Sequence, residues 1–315
     1  MKVILITAVI LAVLGAGLFL YIRSKFPATG DTEITEAYYK KFRSDGILEM
    51  KYSQPGEYEV SYTEIGSDNE SIQKIRFWYP DELEKNSRLY PAIMVVNASG
   101  TPASSYEPFF ERLASWGFIV IGNEDGQTGT GETVSITLDA VLNLKETIIA
   151  GRIDTENIGI VGYSQGGAGA LAAVSEYENG KIYKAIFTGS AAYSFMAGNF
   201  GWNYDVTKIR IPYFMTAGTG RSDDAGVKDI TKEYAGVCPL ESLIENYDTI
   251  SADVMKIRAR AAGAEHEEML MRTDGYMTAW MLYHLKSDED AAKVFFGENA
   301  EILHNENWQD IEKNR

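Results

Sequence analysis

The sequence predicts an α/β protein with a mostly parallel sheet of eight strands and helices on both faces. Three observations carry this: short continuous apolar runs recur from residue 92 onward, helical stretches separate them, and an alternating hairpin precedes them. Runs without polar alternation belong to strands covered on both faces, whereas alternation marks a strand with one wet face.

Residues 31–54 are charged and mixed, with a short helix expected over 34–42. Tyr58, Val60 and Tyr62 then alternate with Glu57, Glu59, Ser61 and Thr63, and residues 72–79 alternate likewise beyond a polar turn, so the two form an antiparallel hairpin ending at Pro80. The apolar runs follow at 92–96, 118–122, 158–162, 185–188 and 212–217, with a last one within 254–262. Helices are expected at 105–116, where Phe109, Leu113 and Trp116 share a face, and at 135–150, 166–177 and 276–285. A final helix over about 287–296 takes Ser287 as its N-cap, with Asp290 three residues on.

The 315 residues suffice for one large core, and no repeat or low-complexity linker divides them. A net charge of −16 excludes nucleic acid as a partner, because phosphate binding needs clustered Lys and Arg. The single cysteine, Cys238, excludes an internal disulfide and reads as structural. Residues 3–22 carry no charge and lie between Lys2 and the pair Arg23 and Lys25. As a helix they would span about 30 Å, enough for a bilayer core, and no clear small-residue cleavage site follows. The expectation is a membrane anchor with the remaining chain outside the cytoplasm, secretion being the alternative.

The informative stretch is 158–169, where an apolar strand stops on a serine among glycines. Gly162-Tyr163-Ser164-Gln165-Gly166 matches G-x-S-x-G between a strand and a small-residue helix. Such a turn lifts the Ser164 hydroxyl above the sheet and aims the first helical N–H groups at the same spot. A serine needs a base, and the chain has three histidines. His284 falls in a helix and His304 in the tail. His266 follows the last parallel strand, at the sheet end where Ser164 also emerges, and is the candidate base. The acid is expected after the strand at 212–217, as Asp223 or, second, Asp224. An oxyanion would be held by the Gln165 N–H and by Gly100 or Thr101 from the loop after Val96. No His-x-His or paired-Cys spacing calls for a metal, and no cofactor is expected.

Three stretches resemble the α/β-hydrolase superfamily, more narrowly its dienelactone hydrolase-like and cutinase-like polyester hydrolase branches. They are Gly162-Tyr163-Ser164-Gln165-Gly166-Gly167, the run from Arg112 to Val120, and the loops of Asp223 and His266. The resemblance implies Ser164 as nucleophile, His266 as base, Asp223 or Asp224 as acid, and Gln165 with Gly100 or Thr101 as the oxyanion hole. Ser99-Gly100-Thr101 lacks the aromatic residue that often follows the family's oxyanion glycine, and the C-terminal disulfide of secreted cutinases is absent. The expected organisation is an N-terminal anchor or signal segment over 1–26, a tether and flap over 27–54, and a hydrolase domain over 55–315. The expected activity is cleavage of a small-molecule or lipid-like ester. The alternatives are a thioesterase, amidase or peptidase with the same residues, and an inert binding module.

Overall fold

A computed structural model describes residues 34–315 of the protein. The expected apolar anchor at 3–22 lies outside the described residues. Among the described residues no helix is long and apolar enough to cross a membrane.

One mixed sheet of nine strands organises the chain, in the order β1-β2-β4-β3-β5-β6-β7-β8-β9. The hairpin pairs β1 (Val60–Gly66) with β2 (Lys74–Pro80), and β2 runs antiparallel to β4 (Ile119–Asn123). From β4 the sheet continues in parallel through β3 (Tyr90–Val96), β5 (Ile153–Tyr163), β6 (Tyr183–Gly189), β7 (Tyr213–Gly218) and β8 (Lys256–Ala261). An antiparallel β9 (Trp308–Lys313) closes the far edge.

The ninth strand corrects the expected count of eight. Its sequence, Trp-Gln-Asp-Ile-Glu-Lys, buries only Trp308 and is otherwise charged or half-exposed, so it has no apolar run to betray it. Charge on an edge strand is how an open row of N–H and C=O groups is kept from pairing with another chain.

The central strands are apolar on both faces, and side chains alternate between two cores. Ile93, Val95, Val161, Tyr163, Phe187 and Phe214 face one side, where α3 (Glu107–Ser115) and α8 (Met269–Lys286) pack. Met94, Val96, Ile158, Ile160, Ile186 and Met215 face the other, against α4 (Glu132–Leu142), α5 (Gln165–Ser175) and α7 (Leu240–Thr249). Helix α8 contributes Met277, Trp280 and Met281, all fully buried. Each such side chain stabilises the fold by about 1.5–3 kcal/mol.

Helix ends depart from the expected ones for local reasons. Helix α4 begins after Gly131, which takes a left-handed φ of 74°, and stops at Leu142, where the Asn143 side chain turns back to donate to the Asp139 carbonyl at 2.8 Å. Ser287 does not cap the last helix. It closes α8 in a left-handed conformation, and Asp288 accepts from the N–H groups of Asp290 and Ala291 to start α9 (Glu289–Ala292). Of two adjacent capping residues the ionised one takes the N-terminal amides. Residues 34–54 carry α1 (Glu36–Tyr39) and α2 (Ile47–Tyr52), which bury Tyr38, Tyr39 and Tyr52. The Tyr38 hydroxyl donates to the Glu267 carbonyl at 2.9 Å, beside the candidate base. The remaining short helix is α6 (Ser194–Asn199).

Candidate active site

Strand register decides what meets at the C-terminal end of the sheet. Tyr163 pairs with Gly189, Gly189 with Thr216, and Gly218 with Ala261, so the chain leaves β5, β6, β7 and β8 side by side. Ser164, Ser190, the loop holding Asp223 and the loop holding His266 follow these four exits.

Ser164 is the single residue between β5 and α5, with φ 55° and ψ −125°, a conformation that costs a non-glycine residue about 1–3 kcal/mol. Its neighbours make the turn possible. A Cβ on Gly162 would lie 2.1 Å from the Gly166 carbonyl oxygen, and one on Gly166 would lie 2.2 Å from that of Val96. Larger residues at either place would push the elbow off the sheet. The Ser164 N–H donates to the Gly189 carbonyl at 3.0 Å, and its carbonyl accepts from Ala192 at 3.1 Å.

His266 Nε2 lies 2.9 Å from Ser164 Oγ, and its Nδ1 lies 2.6 Å from Asp223 Oδ1. With the proton on Nδ1, the ring donates to the carboxylate and accepts from the serine hydroxyl. The ring heads a 3-10 turn over His266–Glu268, fixed by reciprocal capping between Glu265 and Glu268. Burial pulls the imidazole pKa down, but the charge and hydrogen bond of Asp223, with the charge of Glu267, outweigh it and hold it above the ordinary 6.5. The side chain keeps 24% of its exposure, so solvent reaches the ring.

Asp223 is fully buried. Its Oδ2 accepts from the Gly218 N–H at 2.7 Å and from Ser190 Oγ at 2.5 Å, which leaves Oδ1 for the imidazole. Asp224, the alternative acid, points elsewhere: its Oδ2 accepts from Arg260 Nη1 at 2.6 Å, and Arg260 also holds Asp310 on β9. Consecutive residues of a turn project apart, and Asp224 turns to Arg260 on β8, which it shares with Asp310.

The acid and base loops are tied to each other. Glu265 accepts from the Ser222 N–H at 3.0 Å and from its hydroxyl, while that hydroxyl accepts from the His266 N–H at 2.8 Å. The Gly220 N–H donates to the Ala264 carbonyl at 2.8 Å. Ser190, Ser222 and Glu265 were not among the expected site residues. A serine directly after a strand end was the available signal for Ser190.

The Gly100 N–H donates to the Gly126 carbonyl at 2.8 Å and the Thr101 N–H to the Ala98 carbonyl at 3.1 Å, so both expected oxyanion amides already have backbone acceptors. Gly100 takes a left-handed φ of 65°, the freedom expected of it, but spends its amide on Gly126. Among the described residues the amides of Ala98 and Ser99 have no backbone acceptor. Gln165 begins α5 right after Ser164, and its side chain donates to Gln127 Oε1 at 3.2 Å. The other histidines stand apart: burial pushes His284 down to about 4 against the Trp280 ring, and His304 bonds the Glu298 carbonyl. Cys238 is buried, and desolvation raises its thiol pKa.

An aromatic pair follows α6. Phe200 and Trp202 stack at 4.7 Å and 20°, and Phe200 is 44% exposed. A Cβ on Gly129 would lie 2.4 Å from Trp202, so this glycine packs directly against that ring.

A serine, histidine and aspartate linked in this order can move a proton from hydroxyl to imidazole and hold the resulting charge. The sheet order, with Ser164 after β5, Asp223 after β7 and His266 after β8, is that of the α/β-hydrolase fold. The family model described as PET hydrolase-like (PETase) matches residues 49–196, just under half of the chain. That match includes Ser164 and stops before Asp223 and His266. No curated protein matches the chain.

Proposed function

We propose that the protein is a serine hydrolase that cleaves carboxylic esters through an acyl-enzyme. The observation that carries the reading is the unbroken chain from Ser164 Oγ to His266 at 2.9 Å and from His266 to Asp223 at 2.6 Å. In this reading His266 takes the Ser164 proton as the hydroxyl attacks the ester carbonyl, and Asp223 stabilises the imidazolium. The Gln165 N–H at the head of α5 receives the oxyanion, with Ala98 or Ser99 supplying the second donor. His266 then protonates the leaving alcohol, and water repeats the sequence to release the acid.

The PET hydrolase-like match favours an ester over an amide or thioester, and the Phe200–Trp202 pair favours an apolar or aromatic acid. The uncharged stretch 3–22 supports a catalytic domain held at a membrane, outside the cytoplasm, with 34–54 packed into that domain and not part of the expected tether; secretion after cleavage is the competing arrangement.

The test is hydrolysis of p-nitrophenyl esters, from acetyl to long acyl chains, by the full-length protein, Ser164→Ala and His266→Ala. The expected result is turnover by the parent and background rates for both variants. Full activity in Ser164→Ala removes the proposal, and a folded parent inactive on every ester but active on thioesters or anilides moves the reading to those substrates.

A further inference from the structure

The turn after β6 touches both ends of the proposed machinery. Its Gly189 carbonyl accepts the Ser164 N–H at 3.0 Å, and its Ala192 N–H donates to the Ser164 carbonyl at 3.1 Å. Between them Ser190 is 1% exposed, anchors its own N–H on the Thr216 carbonyl at 2.8 Å, and donates its hydroxyl to Asp223 Oδ2 at 2.5 Å. One short turn therefore grips the nucleophile's peptide at two points and the acid's carboxylate at a third.

Backbone preference alone would put glycine at position 190. Ser190 has φ 47°, a left-handed conformation that glycine adopts freely and other residues only at a cost. What glycine lacks is the hydroxyl, and the hydroxyl has one acceptor in the structure, the carboxylate oxygen turned away from His266. Gly218 holds that oxygen by a single N–H at 2.7 Å. One donor leaves the carboxylate free to pivot about it, whereas two donors from different strand ends set its plane and keep Oδ1 against the imidazole.

We infer that Ser190 is a fourth residue of the site, a positioning residue that locks the Asp223 carboxylate and couples its placement to that of Ser164. This rests on the serine hydrolase reading. Ser190 touches no substrate: it works through Asp223, so its effect must vanish when Asp223 cannot accept a charged hydrogen bond.

The test uses full-length Ser190→Gly and Ser190→Ala, each in the parent and in Asp223→Asn, assayed on a p-nitrophenyl ester the parent cleaves. Ser190→Gly relaxes the backbone while deleting the hydroxyl, so loss of folding does not confound it. A hydrogen bond to a charged group is worth about tenfold to a hundredfold, and that is the expected loss in kcat, with KM unchanged. In the Asp223→Asn background the same substitutions cost nothing further. Undiminished kcat in folded Ser190→Gly, or an equal loss in both backgrounds, overturns the inference. An activity-independent readout separates it from the wider reading: the low-field Nδ1 proton resonance that His266→Ala deletes is expected to broaden in Ser190→Gly even if no ester is cleaved. A resonance as sharp as the parent's overturns the positioning role.

Discussion

Asp223 and Asp274 are both buried, at 0% and 2% exposure, and they are held in opposite ways. Asp223 accepts neutral donors on Oδ2 and keeps Oδ1 for His266. Asp274 on α8 receives Arg112 Nε at 3.0 Å and Nη2 at 2.8 Å, both on Oδ2, and its Oδ1 has no partner among the described residues. Burial pushes the Asp274 carboxyl up to about 6, against the charge and hydrogen bonds of Arg112. Neutral donors orient a carboxylate and leave one oxygen available for a proton-transfer partner. A guanidinium consumes the charge in holding two helices, α3 and α8, together.

The comparison is sharpest in the variants that should separate activity from stability. Asp223→Asn should lower kcat about 10⁴-fold, because an amide no longer sets the imidazole tautomer, while the thermal midpoint moves little. A collapse of the fold instead would make Asp223 a packing residue like Asp274. Arg112→Ala should do the reverse: it strands a buried carboxylate and costs about 3–5 kcal/mol in urea unfolding, with kcat per folded molecule unchanged. A kcat loss without destabilisation would place the pair in the site. Asp224→Asn, next to the candidate acid but 16% exposed and paired with the 10% exposed Arg260, should cost about 1 kcal/mol and leave kcat alone.

The smallest effect is one of pH. Because the His266 pKa is raised above 6.5 and a base must be neutral, kcat/KM should rise with pH through an apparent value above 6.5. Asp223→Asn leaves burial opposed only by the Glu267 charge, so its residual activity should titrate at a lower pH than the parent's. An unmoved limb would show that Asp223 does not set the base. The stability contribution runs the other way. A raised His266 favours the fold below the unfolded histidine value, and that contribution is lost as pH rises through the folded one. Asp274 has the same sign, its contribution being lost as pH climbs through about 6.

The parts of the site that the sequence made legible are those written in local pattern. G-x-S-x-G between an apolar run and a small-residue helix marks Ser164, because only glycines tolerate the contacts at 162 and 166. Strand order put Asp223 and His266 at the same sheet end. What stayed hidden depends on partners far along the chain. Gly100 and Gly126 are distant in sequence and share one hydrogen bond, which removed an expected oxyanion donor. Ser190 meets Asp223 only because β6 and β7 end in register.

From sequence alone came the parallel sheet with its hairpin, the candidate nucleophile Ser164, the candidate base His266 and two adjacent aspartates, Asp223 ahead of Asp224, as candidate acids, since periodicity and turn chemistry are local. Tertiary structure gives the two aspartates different partners. Arg260 on β8 holds Asp224 and shares its guanidinium with Asp310 of β9, while Asp223 turns inward, where Ser190, Gly218 and His266 satisfy it. Two neighbouring carboxylates have the same intrinsic chemistry, and only the groups that surround each one in the folded chain make them different.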